Sequence, residues 1–117
     1  MGTFEVERTD TEQTDVTVVA LVGELDLTIA SELTERLEEL AGVRALVIDL
    51  NRVHFIDSAA LHCLFQLVRD HDSVAFALEP TSPIATTLAI VELGRAAPLR
   101  ATLDEAVSAL TPAAPAA

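Results

Sequence analysis

Ala45-Leu46-Val47-Ile48 is a run of four apolar residues without a polar break, and no other stretch constrains the fold as much. A strand with one wet face alternates apolar and polar side chains, whereas a strand covered on both faces need not. The run therefore predicts a central strand with structure layered on each side, as in parallel sheets flanked by helices.

The surrounding pattern supplies those neighbours. Phe4 to Arg8 alternate apolar and polar residues, and Val16 to Val22 follow a polar stretch from Thr9 to Asp15, which reads as two antiparallel strands with Gly23 ending the second. Ala30, Leu33, Leu37 and Leu40 fall at helical spacing within a helix expected from Leu27 to Ala41, with Asp26 or Thr28 as its cap and Gly42 as its stop. Asn51 to Ile56 reads as a loop, and Leu61, Leu64, Phe65 and Val68 form the stripe of the next helix. A strand is expected over Val74 to Leu78, then a helix opened by Pro83 and stopped at Gly94, and a short strand over Leu99 to Ala101. Thr102 and Glu105 have capping-box spacing ahead of a last helix through Val107 and Leu110. The order ββαβαβαβα predicts a single α/β domain with a mixed, mostly parallel sheet, an antiparallel first strand and about four helices. The domain is expected over residues 1–110, and 111–117 as a flexible tail.

Charge and composition remove several function classes. Nineteen acidic residues against seven basic ones, a net charge of −12, oppose contact with nucleic acid or an anionic membrane and favour a partner with a basic surface. Four Phe without Trp or Tyr leave no stacking platform for single-stranded nucleic acid. The lone Cys63 cannot form an internal disulfide, and no signal-like or long apolar segment occurs, so a cytoplasmic protein without membrane insertion is expected. His54, His62 and His71 are not spaced as metal ligands, and neither a Walker nor a dinucleotide glycine motif is present. No cofactor or metal is expected.

Chemistry concentrates at Asp57-Ser58, where the apolar strand pattern gives way to a helical one. A helix N-terminus carries unpaired N–H groups and favours negative charge. A phosphoryl group on Ser58 would add roughly −1.5 to −2 charges there without opposing the fold. Taken alone, the pair reads more readily as an ordinary cap, as do Glu24 and Asp26 after Gly23. If the second and third strands are neighbours, Asp26, Asp57 and Ser58 converge on one sheet end. Asp57, Ser58 and His62 include the residue types of a hydrolytic triad, but no nucleophile elbow or glycine-rich oxyanion turn accompanies them. A non-enzymatic role is expected.

The motifs Gly23-Glu24-Leu25-Asp26, Val47-Ile48-Asp49-Leu50, Phe55-Ile56-Asp57-Ser58 with Leu61, and Leu103-Asp104-Glu105-Ala106 occur in that order. Together, from Phe4 to Leu110, the chain resembles the STAS domain of bacterial anti-sigma factor antagonists. The resemblance implies a partner switch in transcription and stress regulation. The unmodified antagonist binds an anti-sigma factor that is also a serine kinase, phosphorylation ends the complex, and a serine phosphatase restores it. By motif position Ser58 is the phosphoacceptor, and Glu24, Asp26, Asp57, Ala59, Ala60 and His62 join it in the partner surface. The chain carries Ala59-Ala60 where the family usually has Ser or Thr and then Gly. The extra methyl at position 60 is expected to stand in the way of a close partner. The alternative is a constitutive STAS scaffold subunit of a transporter or signalling complex, with Ser58 as a helix cap only.

Overall fold

The computed structural model, which describes residues 4–10 and 16–110, sets the Ala45 to Ile48 run in the central strand of a five-stranded sheet. In chain order the elements are β1 (Phe4–Asp10), β2 (Val16–Leu25), a 3-10 turn (Leu27–Ile29), α1 (Ala30–Glu38), β3 (Ala45–Ile56), α2 (Ser58–Asp70) and β4 (Ser73–Ala77), followed by α3 (Ala85–Ile90), α4 (Leu93–Ala96), β5 (Leu99–Arg100) and α5 (Leu103–Leu110). The strands lie in the order β1-β2-β3-β4-β5, with β1 antiparallel to β2 and the other pairs parallel.

Both faces of β3 are covered, for the reason its sequence suggests. Leu46 and Ile48 enter a large core with Val19, Leu21, Val74 and Phe76, closed by residues of α1 to α4. Val47 points the other way, joining Val16, Val18, Ala75 and Ala77 beneath Ala106 of α5. At α5 the expected cap is present, since the Glu105 N–H donates to the Thr102 hydroxyl at 3.1 Å.

Several boundaries differ from the sequence reading. Residues 51–56 are not a loop: β3 continues to Ile56 because its far half still pairs with β2, Arg52 opposite Val22 and Phe55 opposite Glu24. Beyond the end of β4 one flank of β3 is freed from the sheet, which is why polar Asn51, Arg52 and His54 are tolerated there. Gly23 does not end β2. It adopts φ +110°, which glycine alone reaches without strain, and absorbs a register shift that carries the strand on to Leu25.

The expected helix from Pro83 to Gly94 is two short ones, α3 and α4, so there are five helices rather than about four among the described residues. The break is at Glu92, whose left-handed backbone (φ +57°) separates them. Gly94 lies inside α4 instead of stopping a helix. The expected first helix opens as the 3-10 turn, and its α-helical part ends at Glu38. Strand ends shift by a residue at β4 and β5. Residues 111–117 and most of the expected first turn lie outside the described residues.

Gly42 closes the turn after α1 with φ +90°, and a Cβ built there would meet nothing within 4 Å. Gly42→Ala is therefore expected to lower stability by about 1 kcal/mol through backbone strain alone, the left-handed penalty less the entropy removed from the unfolded chain. The urea midpoint of the variant measures it.

Candidate functional site

The ends of β2 and β3 run side by side, Leu25 opposite Ile56, and the Asp57 N–H donates to the Leu25 carbonyl at 3.1 Å. Each strand is followed at once by an aspartate in extended conformation that caps a helical segment. Asp26 accepts the Thr28 N–H at 2.9 Å and also the Thr28 hydroxyl. Thr28, chiefly through that hydroxyl bond, holds the Asp26 carboxyl below its ordinary range, with desolvation opposing it and the backbone N–H bonds adding to it.

Asp57 does more than cap its own helix. Its Oδ1 accepts the Ala60 N–H at 3.1 Å, satisfying one orphan donor of α2. Its Oδ2 accepts the Leu27 N–H at 2.7 Å, across thirty residues of sequence. One half-buried carboxylate thus ties the first turn of α2 to the 3-10 turn after β2.

Ser58 is the first residue of α2 and is exposed. Asp57 supplies the cap, so Ser58 is not the capping residue that the scaffold alternative assumed. Its hydroxyl has no hydrogen-bond partner among the described residues. Glu24 and His62 are also exposed, Asp26 and Ala59 half-buried. Ala60 is fully buried in the large core, so its methyl cannot face a partner, and the expected steric obstruction at position 60 does not arise. The convergence expected for Asp26, Asp57 and Ser58 is realised at one sheet end.

Two neighbours of the site went unremarked in the sequence. Leu27 is 74% exposed and Phe55 49% exposed, and both stand at the sheet end that carries Ser58. Exposed large apolar side chains beside polar ones mark a contact surface. The sign was present in Phe55, which precedes Ile56 and cannot share its buried face in a strand. Cys63 is buried, as expected of a small core residue. Among the described residues no cluster of His, Cys, Asp or Glu is placed to hold a metal ion, and no helix is long and apolar enough to cross a membrane.

The sequence model of the STAS domain matches residues 7–106. The chain belongs to the STAS domain family. Among solved structures, this STAS domain is similar to an anti-sigma factor antagonist from Mycobacterium paratuberculosis, with 25% identity, 92% of this chain and 94% of the other covered, and a TM-score of 0.83. It also shares its fold with the phosphorylated form of the Bacillus cell fate determinant SpoIIAA (20% identity, 91% and 97% covered, TM-score 0.60). A sulfate transporter family protein from Wolinella succinogenes has the fold as well (15% identity, 85% and 91% covered, TM-score 0.64). No curated protein matches the sequence.

Proposed function

We propose that this STAS domain is a bacterial, cytoplasmic anti-sigma factor antagonist, not an enzyme, that binds an anti-sigma factor with serine kinase activity and is released from it by phosphorylation of Ser58. A serine phosphatase would reset it. One observation carries the reading: the Ser58 hydroxyl is exposed and unpartnered among the described residues at a helix N-terminus whose capping is done by its neighbour. A hydroxyl in that position is open to a kinase, and its phosphate would sit where the helix favours negative charge. The likeness to the antagonist from Mycobacterium paratuberculosis supports the same assignment. The domain would comprise residues 1–110, with 111–117 following as a tail.

The partner surface would comprise Glu24, Asp26, Ser58, Ala59 and His62 together with Leu27 and Phe55. Asp57 positions this surface from behind, since both its oxygens are held by backbone N–H groups. Acidic groups around an apolar pair suit a partner whose own surface is basic around an apolar pocket. Leu27→Asp is expected to weaken the complex about 10- to 100-fold, the value of burying one leucine, with the fold unchanged because the side chain is exposed. Isothermal titration against the anti-sigma factor measures the first and circular dichroism the second.

The test of the whole reading is incubation with candidate cognate kinases and ATP, followed by mass spectrometric mapping. Phosphate is expected at Ser58. Its absence with every kinase, alongside complexes that Ser58→Asp leaves intact, would sink the reading. The second reading is a constitutive scaffold subunit of a transporter or signalling complex, favoured by the half-buried Ala59 that stands where the family usually has Ser or Thr. Recovery of a transporter ATPase instead of a kinase in a pull-down supports it.

A further inference from the structure

A groove of about 360 Å³ opens between α1 and α2, toward the last turns of both helices and the starts of β3 and β4, with Leu37, Cys63 and Leu67 along its floor. Its size is in the range of small-molecule sites, and such sites combine an apolar floor with a few placed polar groups. Here the polar groups include two carboxylates, one of which, Asp70, accepts the Gln66 amide at 3.0 Å and keeps its second oxygen. Glu38, the last residue of α1, and Asp70, the last residue of α2, both line the groove and both are exposed.

Acidic residues at helix C-termini are electrostatically out of place, because the macrodipole already makes those ends negative. Two helices end this way at the same groove. No lysine or arginine is among the residues lining it. The basic residues of the two last turns are engaged beside it: Arg36 lies 3.8 Å from Glu39, and Arg69 donates to the Gln66 side chain at 2.7 Å. His71 lines the groove too, but its ring nitrogens lie 3.1 and 3.0 Å from the backbone carbonyls of Leu67 and Leu40 and are not turned to a ligand. His62 is the one remaining group in the lining that could carry positive charge.

We propose that this groove binds a small organic cation, an apolar body carrying one ammonium or amidinium group. The apolar part would lie on Leu37, Cys63 and Leu67, and the cation between Glu38 and Asp70. Charge complementarity selects this class: an anion of the same shape would meet two carboxylates and two negative helix ends. The groove shares His62 with the proposed Ser58 surface but runs from there toward the far ends of α1 and α2, and its cation site does not depend on the antagonist reading.

The test is an NMR titration of the isotope-labelled chain with phenethylamine and with its anionic counterpart, 3-phenylpropionate. Saturable shifts are expected at the Thr34, Gly42, Gln66 and Asp70 amides with the amine, and at least tenfold weaker binding of the carboxylate. The Glu38→Gln, Asp70→Asn double variant should bind the amine about tenfold more weakly, as the loss of two partly exposed ion pairs implies. Ala41→Leu, which fills the groove from its rim, should abolish the shifts. Equal binding of both probes, amine shifts scattered over the acidic surface, or a double variant that binds as well as the parent would each overturn the proposal. So would binding confined to a basic peptide with no response to the amine.

Discussion

Asp57→Ala is expected to destabilise the domain by about 2 to 3 kcal/mol. A single N-cap is typically worth about 1 kcal/mol and up to about 2, and this carboxylate serves two backbone N–H groups, Ala60 at 3.1 Å and Leu27 at 2.7 Å. Removing it leaves both donors without their partner, at the positive end of α2. Urea denaturation with intrinsic circular dichroism measures the loss, and a fall in midpoint temperature of roughly 10 °C should accompany it. Asp57→Asn separates the two bonds. An amide has one oxygen, so one N–H keeps an acceptor while the other meets an NH₂ group, and about half of the loss should remain. A cost under about 1 kcal/mol for the alanine variant would show that the carboxylate does not hold the two segments together.

Ser58→Asp is expected to weaken the anti-sigma factor complex on the order of 100-fold, whereas Ser58→Ala should leave it within a factor of about three. The contrast follows from the hydroxyl having no partner to lose among the described residues, while a carboxylate in its place adds charge to a surface already carrying Glu24 and Asp26, with Asp57 behind it. Packed into the contact with no cation placed to pair with it, that charge is desolvated beside other carboxylates, which costs several kcal/mol and exceeds its attraction to a basic surface. A true phosphate, with more charge, should act more strongly. Titration calorimetry with the two variants side by side decides it. Equal affinities would mean that position 58 lies outside the interface.

What could be read from the sequence was what depends on near neighbours. The Ala45 to Ile48 run announced a strand with two covered faces because burial on both sides leaves no alternation. Asp57 and Thr102 announced helix starts because their side chains reach their own first turn. Ala60 was legible too, standing four residues before Leu64 and seven before Leu67 on the buried stripe, whereas its place in the family motif says nothing of which helix face it takes. The rest depended on long-range geometry. Nothing local to Asp57 indicates that it also holds Leu27, and nothing local to Asn51 indicates that its side chain accepts the Glu79 N–H at 2.8 Å, fixing the turn after β4. The left-handed Glu92 has no compositional sign, since glycine or asparagine would be the usual choice.

The carboxylate that joins α2 to the turn after β2 also bears on how tightly any partner can be held. Leu27 and Ser58 sit on separate segments, and without Asp57 each would have to be immobilised as the complex forms. Ordering of that kind subtracts from affinity, at about 1 to 2 kcal/mol per backbone residue fixed. With the two segments already joined, that loss of freedom occurs during folding, and the free protein presents its contact residues in one arrangement. Modification of Ser58 would then alter the charge of a surface whose shape is set in advance.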